Sequence, residues 1–141
     1  MEIANNPKIT IECTIKRNVD IVWNYWTDPK HIIQWCTASE DWHTPRAEND
    51  LKKGGKFMSR MESKDGKIGF DFIGVYDEVR KNEFISYTIE DGRKVEITFT
   101  SKGNETKVTE IFEAESINPL EMQRGGWQAI LDNFKKYVEA N

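Results

Sequence analysis

A chain of 141 residues can bury roughly two-thirds of its unfolded surface in a single core, so residues 1–141 read as one domain. The net charge of −4 argues against a nucleic-acid partner and against an electrostatically held membrane surface, both of which need clustered Lys and Arg. No stretch approaches the run of about 20 apolar residues that a membrane-inserted helix needs.

The opening, MEIANNPKITIEC, has no basic segment followed by an apolar one and does not read as a secretory signal. Cys13 and Cys36 form neither a disulfide framework nor a Cys-x-x-Cys pair. Free thiols in a reducing cytoplasm are the expectation. Residues 8–16, KITIECTIK, set Ile9, Ile11, Cys13 and Ile15 against polar neighbours, the alternation of a half-buried strand. Asn18 stands where a helix N-cap belongs, ahead of VDIVWNYW, in which Val19, Val22, Trp23 and Trp26 recur at helical spacing. DPKHIIQWC reads as a second short helix, capped by Asp28 with Pro29 in the first helical position.

Residues 37–54 contain Pro45 and Gly54 and show no periodicity, which predicts a long loop carrying Trp42 and His43. Loops of that length inside a compact domain are often functional. From Gly55 the period changes to two. Phe57, Ser59 and Met61 share a face, as do Phe70, Phe72, Gly74 and Tyr76. Ile85, Tyr87 and Ile89 follow, then Val95, Ile97 and Phe99, then Val108, Glu110 and Phe112. Turn signals at KDGK, Lys81-Asn82, EDGR and KGNE separate the runs. With the first strand these make an antiparallel sheet of about six strands.

The last helix is predicted to open at Asn118, with Pro119 first in the helix and Glu121 completing a capping box. Leu120, Trp127, Ile130, Leu131, Phe134 and Val138 then project as one apolar stripe, edged by Gln123 and Arg124. Gly125 and Gly126 fall inside this helix, each costing about 1 kcal/mol relative to alanine. Their presence predicts a bend or a close approach to the backbone at Gly126. An apolar stripe and a one-faced sheet pack together, and a twisted meander curls. The expectation is an α+β fold in which a curved sheet grips the last helix.

These residues also resemble a family. Trp35, AENDLKKGGKF (47–57), FDFIGVYDEV (70–79), DGRKVEITF (91–99) and EMQRGGWQAILDNFKKYVE (121–139) carry the likeness, in order and over nearly the whole chain. The chain resembles the START-like helix-grip (SRPBCC) superfamily, in the branch related to the activator of heat-shock protein 90 ATPase. The resemblance implies a deep cavity between sheet and C-terminal helix, usually for a hydrophobic small molecule or lipid. It offers no shared catalytic motif to carry over, and it makes a heat-shock protein 90-type chaperone a second candidate partner; no cofactor is expected.

Candidate cavity residues are the inward-pointing aromatics Trp26, Trp35, Phe57, Phe70, Phe72, Tyr76, Tyr87, Phe99, Phe112 and Trp127, with Met61, Ile97, Ile130, Leu131 and Gly126 beside them. At any one position an ordinary core reads the same way, but ten large aromatics under one helix suggest a floor broad enough for a ligand. Gly74, inside a strand, marks a bend or the close approach of a ligand. Glu110, on the inward parity, would need a partner or a raised pKa. A bulge or register slip would instead turn it to solvent. Gln123 and the Tyr87 hydroxyl are further polar candidates. Cys36 and His43 could act as a nucleophile pair only if folding brings them together; the alternative is a small buried thiol and a surface imidazole. His31, His43, Cys13 and Cys36 follow no metal-ligand spacing, and no nucleotide-binding fingerprint is present. Three functional readings follow, in order of preference: a binding protein for a hydrophobic small molecule, a chaperone cofactor or interaction module, and a cyclase- or hydrolase-type enzyme using the same cavity.

Overall fold

The computed structural model describes residues 7–141. Strand β1 (Lys8–Ile15) leads into two short helices, α1 (Val19–Thr27) and α2 (Pro29–Trp35). Six strands follow: β2 (Trp42–Asn49), β3 (Lys56–Ser63), β4 (Gly69–Arg80), β5 (Phe84–Ile89), β6 (Lys94–Lys102) and β7 (Glu105–Glu113). Helix α3 (Leu120–Ala140) closes the chain. The strands form one antiparallel sheet in the order β1-β7-β6-β5-β4-β3-β2, curled around α3. This is the α+β helix-grip architecture.

The sheet has seven strands rather than about six, because residues expected to be loop form β2. Pro45 and a register shift between His43 and Arg46 break the two-residue alternation there. A proline that cannot donate to a ladder is tolerated on an edge strand, and β2 is one. The other strands keep the expected parity, with a left-handed residue in each predicted turn, for instance Asn82 (φ 65°) and Gly92 (φ 93°).

The Asn18 side chain accepts the Ile21 N–H at 3.2 Å, and Asp28 accepts that of Lys30 at 2.9 Å, so both short helices start as expected. Helix α3 does not. Asn118 makes no cap; its amide donates to Glu115 at 2.6 Å, and Pro119 occupies the cap position without a side-chain bond. Glu115 instead accepts the N–H groups of Ile117 and Asn118 at 2.8 and 2.7 Å. Leu120 is 46% exposed, and Gln123 is the first buried residue of α3.

One half of the concave face is packed solid. Trp127 of α3 stacks on Phe112 of β7, with ring centroids 4.0 Å apart and planes 8° from parallel. Phe134 meets Trp26 and Trp35 edge-on at 4.8 and 4.7 Å, and Trp23 covers Phe99 at 5.2 Å. Side chains of α3 also occupy the free edge of β1. Arg124 donates to the Thr10 carbonyl at 2.9 Å, Gln128 to that of Glu12 at 3.3 Å, and the Lys16 N–H donates to Glu139 at 2.9 Å. These bonds draw α3 toward β1 and β7. The opposite half of the concave face is left to α2, which is tied to β2 by the Thr44 hydroxyl donating to the Cys36 carbonyl at 2.7 Å.

None of the described residues presses on the two helical glycines. A Cβ added at Gly125 or Gly126 would meet no atom of a described residue within 4 Å, so the expected close approach is not made by any of them.

Candidate functional site

With α3 held toward β1, the space under β2–β5 is not filled. A cavity of ≈ 320 Å³ lies there. Phe57, Ser59 and Met61 of β3, Phe70, Phe72 and Tyr76 of β4, and Ile85 and Tyr87 of β5 form its sheet side. Trp26, Ile32, Trp35 and Cys36 close it from the α1–α2 side, and Trp127 and Ile130 from α3. Glu48, Asn49 and Arg93 complete the wall, and Glu110 reaches it from β7.

Phe57 organises the aromatic side. It lies opposite Gly74 in the β3–β4 register, and a Cβ on Gly74 would fall 2.5 Å from its ring. The missing side chain therefore makes room for the protein's own Phe57, the physical reason this glycine stands in a strand. From that seat Phe57 contacts Tyr87 at 4.7 Å, Tyr76 at 5.3 Å and Phe72 at 5.8 Å between centroids. The Tyr76 hydroxyl donates to Asn49 Oδ1 at 2.6 Å, and the Asn49 amide donates to the Thr27 carbonyl at 2.6 Å. That chain pins the wall to the end of α1.

Glu110 is the one acidic group on the inner face of β7. It sits in unbroken register between Ile11 of β1 and Ile97 of β6, is 6% exposed, and no hydrogen bond from a described residue reaches its carboxyl. Burial alone pushes its pKa up to about 8. The thiol of Cys36, a half-buried residue, is pushed up to about 12, chiefly by burial and then by the nearby charge of Glu110. Tyr87 is raised well above the ordinary tyrosine value for the same two reasons. Neutral donors therefore line an apolar chamber.

A model of the family described as "Activator of Hsp90 ATPase homolog 1-like protein" matches residues 16–139. The chain belongs to this family. Among solved structures, the AHSA1-like protein of Aeromonas hydrophila is 45% identical, with 95% of this chain and 93% of that one covered and a TM-score of 0.90. A protein from Cytophaga hutchinsonii is 54% identical over 95% and 93%, with a TM-score of 0.83. Protein CV1439 of Chromobacterium violaceum, 21% identical over 98% and 100% with a TM-score of 0.82, shares the fold. No curated protein matches the chain.

Within this AHSA1-like framework, eleven of the sequence candidates line the cavity: Trp26, Trp35, Phe57, Met61, Phe70, Phe72, Tyr76, Tyr87, Glu110, Trp127 and Ile130. Phe70, 47% exposed, stands at the rim against Trp42 rather than inside. Ile97, Phe99, Phe112 and Leu131 do not line the cavity; they belong to the solid half, each 4% exposed or less. Gly74 is covered by Phe57, and Gly126 lies outside the wall. Gln123 also lies outside. Its side chain accepts the Glu115 N–H at 2.9 Å and donates to the carbonyls of Glu115 and Asn118 at 3.0 and 2.8 Å, locking the β7–α3 connection. Cys36 and His43 are not brought together: the thiol faces the cavity, while His43 sits 3.5 Å from Glu62 with its side chain 45% exposed. Of the wall residues outside the candidate set, Ser59 and Ile85 share the parity of their named neighbours and could have been found that way. Glu48 and Asn49 lie on the strand that reads as loop. Among the described residues no cluster of three potential metal ligands forms, and no helix is long and apolar enough to cross a membrane.

Proposed function

We propose that this protein binds a hydrophobic small molecule or lipid in the cavity beneath β2–β5. The observation that carries the reading is unfilled space walled by aromatic and aliphatic side chains, where a chain otherwise free to collapse would close. A ligand burying about 300 Å² of apolar surface gains roughly 7 kcal/mol, against association costs of at least about 4 kcal/mol. Weak to micromolar affinity is the consequence, unless polar contacts add to it. Three tryptophans in the wall, Trp26, Trp35 and Trp127, supply the signal. Titration with fatty acids, flavonoids and polyketide-like aromatics should change their fluorescence for at least one class, and small molecules co-purifying with the protein should be visible by native mass spectrometry. No spectral change, no thermal shift and no retained molecule would end this reading. We place the protein in the cytoplasm, in keeping with its two unpaired cysteines.

A second reading has an observation of its own. Ile117, Leu120 and Met122, at and just before the start of α3, are 87, 46 and 62% exposed. Together with the family's description they favour docking to a chaperone of the heat-shock protein 90 type. Immobilised protein should then retain that chaperone from cell extract, and Met122→Asp should release it; no retention removes the chaperone form of the idea.

A further inference from the structure

Resting on the binding reading above, we infer that the ligand carries a neutral hydrogen-bond acceptor, a carbonyl oxygen of the ketone or ester type, and that Glu110 meets it as a protonated carboxyl donor. Glu110 is aimed into the cavity from an unbroken ladder and is more than nine-tenths buried. No group of the described residues answers its carboxyl. Two amide acceptors nearby are already engaged, since Asn49 Oδ1 takes the Tyr76 hydroxyl and the Cys36 carbonyl takes that of Thr44, while the Ser59 hydroxyl on the same wall can donate as well as accept. The Tyr87 hydroxyl, on the same wall and 8% exposed, likewise has no partner among the described residues. The chamber thus offers donors in excess, and what completes it is an acceptor.

The charge balance points the same way. Arg93 is the cationic side chain of the wall, and it is engaged with Asp91 at 2.8 Å and the Glu113 carbonyl at 3.2 Å. The titratable groups that feel Glu110 are Cys13 from β1, Cys36 after α2 and Tyr87 from β5, each held neutral chiefly by burial; Tyr76 of β4, also held neutral by burial, lies on the same wall, to which α3 contributes only Trp127 and Ile130. Glu48 lies on the wall from β2 and is exposed. Among the described residues no cation compensates an ionised Glu110, and with a pKa of about 8 the proton stays on at neutral pH. A carboxylic acid kept neutral by an apolar site is a strong donor to a carbonyl oxygen. An ammonium ligand would instead require two charges to be stripped of water together. At ≈ 320 Å³ the chamber suits a bicyclic ring system or a medium chain.

Three matched probes separate the alternatives: 2-acetylnaphthalene, 2-ethylnaphthalene and 2-(aminomethyl)naphthalene, titrated between pH 6 and 9.5. The ketone should bind about tenfold more tightly than the hydrocarbon at pH 6, and its advantage should fade above pH 8 as Glu110 ionises. The hydrocarbon serves as the control for drying the carboxylate and for every other titrating group, so the donor role is read from the ratio of ketone to hydrocarbon affinity at each pH. Glu110→Gln, which keeps an N–H donor, should preserve most of the ketone preference and remove its pH dependence. Glu110→Leu should abolish the preference and still bind the hydrocarbon. Equal affinity for ketone and hydrocarbon at every pH overturns the inference while leaving the binding reading intact. So does a preference for the amine that grows with pH. If none of the three binds, the binding reading fails and takes the inference with it.

Discussion

Glu110 gives the fold a pH dependence of known sign. Its carboxyl has a pKa near 4.5 in the unfolded chain and about 8 in the fold, so between those values the folded state holds a proton that the unfolded state has lost. Stability therefore falls as pH rises from about 4.5 to 8, at up to about 1.4 kcal/mol per pH unit from this residue. Glu110→Gln should unfold in urea much like the parent at pH 4.5 and be more stable by a few kcal/mol at pH 8. A constant difference across that range would mean that the carboxyl finds a partner in solution. At Gly125 and Gly126, where open space faces the helix, alanine should add about 1 kcal/mol at each site, read as a higher urea midpoint. The inward placement of Glu110 was legible in the parity of Val108 and Phe112. What lay near the glycines was not: a missing side chain signals room, and only packing says what uses it. At Gly74 the room is taken by Phe57, and at Gly125 and Gly126 by no atom of the described residues.

Among the elements, α3 depends on its first turn being held down. Gln123 supplies the latch, and Gln123→Ala would leave one N–H and two carbonyls of the β7–α3 connection unanswered. A loss of about 2 kcal/mol in chemical denaturation is expected, with probe binding unchanged because the residue lies outside the wall. Helical projection put Gln123 near the cavity since it cannot see a loop folding back over the same face. The strands joined by turn signals were readable because one face is buried and alternation survives. Strand β2 was not, since its pairing runs through Pro45 and a bulge, and only Thr44 of its eight residues is fully buried. The cap of α3 was misread for a related reason. Asn118 has the right chemistry, but Glu115 is nearer to the free N–H groups and takes them.

For the molecule as a whole, occupancy of the cavity should appear as stability. A ligand present at a hundred times its Kd adds about 2.7 kcal/mol to the folded state, a rise in Tm on the order of 10 °C for a domain of this size. Scanning calorimetry with 2-acetylnaphthalene measures it, and a Tm insensitive to ligand concentration would contradict binding to the folded state. The two halves of the concave face carry different loads: Ile97, Phe112, Leu131 and Phe134 hold the helix to the sheet, while Ser59, Met61 and Phe72 border empty space. Exchanging the first set opens voids in close-packed interior, at a cost of several kcal/mol each. Exchanging the second mostly reshapes a hollow that is already there. Random replacement should thus yield many folded variants with altered ligand preference from the hollow side and few from the other. The lean of one helix toward one rim of the sheet leaves this scaffold free to acquire new specificities without first being made more robust.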